Sequence, residues 1–242
     1  MPNPTAAMLV IGDEILSGRT RDTNTHYLAG ELTKAGIDLK EVRVVADDAA
    51  GIVAAINALR NQHEMVFTSG GIGPTHDDIT ADCIAAAFNV SISIRDDARA
   101  ILAARYSDMG TELTATRLRM ARIPDTASLI ENTISGAPGF TIGNVHVLAG
   151  VPSVFQAMVA SVLPTLKGGV PLFSQTYRVN RGEGDIAEPL EALANAYPDL
   201  SFGSYPFQRN GAYGTNIVVR GSDGIHVEKA MTQLAAQFPG DP

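Results

Sequence analysis

An α/β fold built on a mostly parallel sheet is what this 242-residue sequence predicts. Two observations carry the prediction. Short apolar runs of strand length alternate with amphipathic helical patterns through the first part of the chain, and repeated strand-helix-strand units give parallel strands covered on both faces. A composition of 45% hydrophobic and 18% charged residues, with Gly and Pro scattered rather than clustered, gives an ordered globular chain long enough to bury a sizeable core.

Taken in order, Ala6 to Gly12 has the apolar run of a buried strand, Asn24 to Ala35 a helical pattern, and Leu39 to Val45 a second strand. Ala49 to Gln62 is the clearest helix, because Ile52, Ala55, Ile56 and Leu59 follow the i, i+3, i+4, i+7 spacing of one buried face. Glu64 to Ser69 is the third strand. Helices are expected over Ile79 to Phe88, Asp97 to Met109 and Thr114 to Ala121, with short strands at Ser128 to Asn132 and Asn144 to Leu148. Pro152 to Lys167 then forms an amphipathic helix through Phe155, Met158, Val159, Val162, Leu163 and Leu166.

Lys167-Gly168-Gly169-Val170-Pro171 breaks the pattern, placing a main α/β domain over 1–168 and a small α+β appendage over 169–242. The appendage runs strand (Ser174 to Val179), helix (Ile186 to Ala196), strands (Leu200 to Tyr205 and Asn216 to Arg220) and helix (His226 to Gln237). Pro189 belongs in a first turn, which would start the first of these helices at Glu188.

The chain carries 18 Lys and Arg against 26 Asp and Glu, a net charge of -8, which argues against nucleic acid and anionic lipid as partners. No apolar run approaches membrane-spanning length, and Met1 to Ala7 lacks the basic start and apolar stretch of a signal peptide, so a cytoplasmic protein is expected. The lone Cys83 excludes an internal disulfide, and it shares its helix face with Ile79, Ala86 and Ala87, as a packed thiol would.

In an open parallel sheet, ligands settle outside the carboxyl ends of the strands. Acidic pairs follow three strands here: Asp13 and Glu14, Asp47 and Asp48, Asp77 and Asp78. The third loop, Ser69-Gly70-Gly71-Ile72-Gly73-Pro74-Thr75-His76-Asp77-Asp78, joins a strand to a helix. Its glycines let backbone amides approach an anion, and the helix start adds partial positive charge, which suits a phosphate or pyrophosphate group. It has no Lys and fits neither the Walker pattern nor the dinucleotide fingerprint. Asp78 has a second reading as the N-cap of the following helix, and the carboxylates together have one as solvated loop residues. Carboxylates beside an anionic ligand repel it unless a divalent cation bridges them, and oxygen ligands favour ions such as Mg²⁺. Ala149-Gly150-Val151-Pro152-Ser153 ends another strand at the same edge, with Pro152 at a first helical position. Ser135 to Gly139 is a further special loop, and His76 ranks below the carboxylates as a phosphate contact.

Gly12-Asp13-Glu14-Ile15-Leu16 with Asp22-Thr23-Asn24, followed by Gly70 to Thr75 with Asp77, Asp78 and Thr80, resembles the GDEIL…DTN…GGIGPTxDDxT signature of the molybdopterin-binding domain of the CinA-like (competence/damage-inducible) family. Asn132, Ala137-Pro138-Gly139 and Gly150-Val151-Pro152 extend the resemblance over Ala6 to Leu166. The appendage, with Gly203-Ser204-Tyr205-Pro206, looks like the small domain that follows it in CinA-like proteins and in eukaryotic FAD synthases.

The resemblance implies a three-layer MogA-like fold and, by motif, functional aspartates at Asp47 and Asp78. Asp77 stands where Mog- and MoaB-type adenylyltransferases carry Arg. Relatives associated with metal-dependent cleavage of ADP-ribose or FAD imply a divalent-metal-dependent pyrophosphatase. Asp47, Asp77 and Asp78 would hold Mg, Mn or Co or orient water. Gly70, Gly71, Gly73 and Thr75, with Gly12, Asp13, Glu14, Asn24, Gly150 and Pro152, would bind the nucleotide or a molybdopterin. Adenylyl transfer to molybdopterin and a non-catalytic nucleotide- or pterin-binding module stay open. Val154 stands where members often have Glu, and the chain stops before the deamidase domain of longer relatives, so nicotinamide-nucleotide deamidation is expected to be absent. A homo-oligomer, dimer or trimer, is also implied.

Overall fold

The computed structural model describes residues 2–209 and 211–238. Met1, Asn210 and residues 239–242, which the expected domain bounds include, lie outside them. The chain divides into compact units at 1–169 and 170–242.

In the first unit the elements run β1 (Thr5–Ile11), α1 (Asp13–Leu16), α2 (Asn24–Lys34), β2 (Asp38–Val45), α3 (Ala49–Gln62), β3 (Met65–Ser69), α4 (Thr80–Phe88), β4 (Ile92–Ile94), α5 (Asp96–Asp108), α6 (Ala115–Leu118), β5 (Arg122–Pro124), β6 (Ser128–Ile130), β7 (Gly139–Ile142), β8 (Val145–Leu148) and α7 (Pro152–Val162). Six strands form one sheet in the order β2-β1-β3-β8-β7-β6. The first four are mutually parallel, and β7 and β6 extend the sheet antiparallel. β4 and β5 pair as a separate two-stranded ribbon.

The period of two in β1 explains the three layers. Ala7, Leu9 and Ile11 face one core with Ile52, Ile56 and Leu59 of α3 and Ile84 of α4. Ala6, Met8 and Val10 face the other with Leu28 and Leu32 of α2 and Phe155, Met158 and Val159 of α7. Each of these large apolar side chains contributes about 1.5–3 kcal/mol when fully buried, so the central strand is anchored from both sides. Cys83 is buried in the first core, and burial pushes its thiol pKa up to about 11, as fits a packed, unreactive residue.

The second unit runs β9 (Phe173–Val179), α8 (Glu183–Ala196), β10 (Ser201–Arg209), β11 (Ala212–Gly221) and α9 (Gly224–Gln237). Its sheet is antiparallel in the order β10-β11-β9. Its own core gathers Val179, Ile186, Leu193, Ile217, Val219, Val227, Ala230 and Leu234.

Several boundaries correct the sequence reading. α8 starts at Glu183, so Pro189 lies inside it rather than in its first turn. The fully buried Ile186 draws the preceding turn into the helix despite the backbone hydrogen bond that proline removes. The helix expected over Thr114 to Ala121 is four α-helical residues followed by a 3-10 turn at Arg119–Ala121. The helix from Pro152 ends at Val162, with a 3-10 turn at Leu163–Thr165 in place of further α-helix. Among the described residues no helix is long and apolar enough to cross a membrane.

Candidate functional site

Because β1, β2, β3 and β8 are parallel, their carboxyl ends share one edge, and the segments leaving them meet there. A cleft of about 570 Å³ opens at this edge. Of the candidate site residues, Gly12, Glu14, Asp47, Gly70, Gly71, Gly73, Asp77, Asp78, Gly150 and Pro152 line it. Asp13, Thr75 and Asn24 do not line it; the Asp13 amide, Thr75 and Asn24 make hydrogen bonds that hold the surrounding loops.

The loop after β3 is shaped by glycine. Gly70 has φ of 109°, and a Cβ there would stand 2.2 Å from the carbonyl oxygen of Ile11. Gly71 has φ of 70°, and its Cβ would stand 2.1 Å from Thr80 Oγ1. Thr80, fully buried, explains the crowding: its hydroxyl donates to the Gly70 carbonyl at 3.0 Å and its amide to the Gly71 carbonyl at 2.9 Å. The two carbonyls are thus tied to the start of α4. The amides of Gly71, Ile72 and Gly73 donate to no group among the described residues. Three successive amides without an acceptor at the rim of a cleft are the kind of donors that an anion needs.

The carboxylates divide by what they hold. Asp78 accepts from the Thr75 amide at 2.7 Å and the Thr75 hydroxyl at 2.5 Å, latching its own loop. It does not cap α4, whose N-cap is Ile79 with no side-chain capping bond. Asp48 caps α3 by accepting from Gly51 N at 2.7 Å. Asp47 accepts from the Asp13 amide at 3.0 Å, which joins the ends of β1 and β2. Burial raises the Asp47 pKa, and the nearby charges of Asp13, Glu14 and Asp77 raise it further. Asp77 is 62% exposed and lies 3.9 Å from His76, which is itself solvated.

Asn24 is a staple. Its amide donates to Ser69 Oγ at 2.9 Å and to the Gly150 carbonyl at 2.8 Å, fixing the loop after β8 beside the end of β3. Among the described residues no three His, Cys, Asp or Glu side chains are arranged to hold a metal ion. Asp47, Asp77 and Asp78 share the cleft but do not make a preassembled metal centre.

The lining also has apolar side chains that were not among the candidate site residues: Ile72, Met120, Val154 and Met158, with Ala137 and Val151. Asn132 completes it and is fully engaged, accepting from the amides of Ile134 and Ser135 and donating to Ser135 Oγ and the Ala137 carbonyl. The Ser135-Gly136 pair three residues after Asn132 is a turn signal, which was the available clue. The cleft therefore offers unspent amides, a carboxylate rim and an apolar face, and no Lys or Arg lines it.

Residues 7–168 match the family model described as a probable molybdopterin binding domain, and residues 171–241 match that of the FAD synthase middle domain. A probable FAD synthase from Caenorhabditis elegans is 31% identical over 98% of this chain and 50% of its own length, so the chain spans about half of that relative. A protein from Archaeoglobus fulgidus is 31% identical over 82% of this chain and 84% of its own. The crystal structure of a CinA protein of unknown function from Thermoplasma acidophilum is 34% identical, with a TM-score of 0.61, covering 66% of this chain and 98% of that one.

Proposed function

This chain belongs to the molybdopterin-binding domain family, and from that premise we propose that its cleft binds a phosphate-bearing nucleotide or pterin. The observation that carries the reading is the run of unspent amides at Gly71, Ile72 and Gly73 on the edge where β1, β3 and β8 end. Such amides bind a phosphate oxygen without a charged side chain. The apolar wall of Ile72, Met120, Val154 and Met158 suits the face of a heterocyclic ring. Glu14, Asp47, Asp77 and Asp78 on the rim repel a bare phosphate, so the ligand binds best accompanied by a divalent cation. Calorimetric titration tests this with ADP, inorganic pyrophosphate and adenosine, with and without Mg²⁺. Phosphate-dependent binding strengthened by Mg²⁺ is expected, and equal affinity for adenosine and ADP would sink the reading.

A second reading, cleavage of a pyrophosphate bond in a substrate of the ADP-ribose or FAD class, is favoured by one observation. Burial and three neighbouring carboxylates hold the Asp47 pKa above its ordinary value beside the amide cradle, as for a group that exchanges a proton with water. Incubation of ADP-ribose, FAD and ATP with Mg²⁺, Mn²⁺ or Co²⁺, with products separated by chromatography, decides it. AMP released from ADP-ribose or FAD supports hydrolysis, and intact substrates leave a binding module.

A further inference from the structure

Behind the glycine loop lies a small void of about 20 Å³, bounded by Gly71, Ile72, Gly73, Asp78 and Met120, residues that also line the large cleft. Its far side carries Asp82, Arg119 and Arg122. The charges there are unequally spent. Asp82 is ion-paired with Arg122, and Asp78 gives its carboxylate to Thr75. Nearby arginines are also committed: Arg117 lies over the Tyr106 ring and donates to the Glu112 carbonyl, and Arg105 donates to the Ile134 carbonyl.

Arg119 alone of this group has neither an ion pair nor a hydrogen bond among the described residues, and its Nε is buried without an acceptor. A buried donor without a partner is costly, and such groups in native proteins call for a ligand or an ordered water. The 3-10 turn at Arg119–Ala121 places this cation against a loop that has no Lys or Arg of its own.

We infer that Arg119 is the phosphate-binding cation of this site, reaching the anion held on the amides of Gly71, Ile72 and Gly73. The inference rests on the proposed reading of the cleft as a phosphate-ligand site, and it supplies the positive charge that the lining otherwise lacks. A guanidinium suits the task because its planar fork contacts two phosphate oxygens together, and among the described residues neither Asp78, which accepts from Thr75 through Oδ2, nor Asp82, which pairs with Arg122 through Oδ1, forms an ion pair with Arg119.

The test uses the full chain with Arg119→Gln and Arg119→Lys, titrated with ADP, inorganic pyrophosphate and adenosine in Mg²⁺. Because the guanidinium makes no internal bond, both variants should melt with the parent. Arg119→Gln should bind ADP and pyrophosphate about tenfold or more weakly while adenosine binding stays unchanged. Arg119→Lys should fall between, and it stands in should the Gln variant fail to fold. If the parent binds ADP and pyrophosphate and Arg119→Gln binds them equally well, the inference is overturned and the cleft reading survives. If the parent itself does not prefer phosphate-bearing ligands, both fall.

Discussion

His146 gives the chain an acid sensitivity whose size follows from its surroundings. It sits on β8 in a row that crosses the sheet from Ser128 through Thr141 and His146 to Phe67. The side chain is only 5% exposed, its ring centre lies 5.0 Å from that of Phe67, and Nδ1 shares a 2.9 Å hydrogen bond with Thr141 Oγ1. Burial pushes its pKa down from 6.5 to about 4, since the imidazolium would lose its hydration with no carboxylate in hydrogen-bonding contact. The folded chain therefore resists a proton that the unfolded chain accepts. The stability contribution is complete above pH 6.5 and is lost as pH falls toward about 4. At about 1.4 kcal/mol per pH unit, that interval amounts to about 3 kcal/mol.

Urea unfolding followed by circular dichroism, at steps from about pH 7.5 to about pH 4, reads this when the parent is compared with His146→Asn. Asn retains a polar group for Thr141 and cannot titrate. The smaller side chain costs the variant a fixed amount at every pH, and the carboxylates titrate alike in both proteins. The stability gap between the two should therefore shrink by about 3 kcal/mol on acidification. A gap that stays constant across the range would refute the reasoning and show that the imidazolium is solvated in the fold.

Three further outcomes follow from the cleft. Asp47→Asn should melt above the parent at neutral pH. The folded Asp47 pKa is raised, so its charge is a penalty that is complete above the folded pKa and disappears as pH falls toward the ordinary carboxylate range; differential scanning calorimetry should show the advantage vanishing over that interval. Asp78→Ala should cost about 1–3 kcal/mol by freeing Thr75, with Asp78→Asn losing less, and amide hydrogen exchange should place the loosening in the Gly70 to Asp78 loop rather than in α4. Gly71→Ala should destabilise by about 2 kcal/mol or more, because φ of 70° is unfavourable for Ala and the new Cβ would meet Thr80 Oγ1 at 2.1 Å; a thermal melt within error of the parent would contradict the loop geometry.

The three-layer core was legible because its signal is periodic. Ile52, Ala55, Ile56 and Leu59 repeat on a helical face, and α3 spans the expected Ala49 to Gln62. β4, β5 and β7 escaped while the equally short β6 and β8 did not: β8 is an uninterrupted buried run, whereas β5 ends on Pro124 and β7 opens on Gly139, which read as loop. β10 and β11 run longer than their apolar segments, to Arg209 and from Ala212, since an antiparallel pair is held by its backbone ladder through residues such as Gly203 and Gly214, and Pro206, which has no N–H to donate, is tolerated on the edge strand β10. In α8, packing of Ile186 outweighed the local rule that places proline in a first turn.

At the site, sequence located the loops and left open how their hydrogen bonds are assigned. Asp47, Asp48 and Asp78 are the same residue type in similar strand-to-helix loops. One joins two strand ends, one caps a helix and one latches its own loop, and only the surrounding donors decide which. The same applies to cations. Arg119 and Arg122 lie three residues apart, at and just beyond the end of the helix expected over Thr114 to Ala121, and a carboxylate on α4 claims one of them while the other keeps a buried Nε without an acceptor beside the glycine loop. A charge becomes part of a site when the fold withholds its counter-ion, and that depends on what Asp78 and Asp82 are already holding.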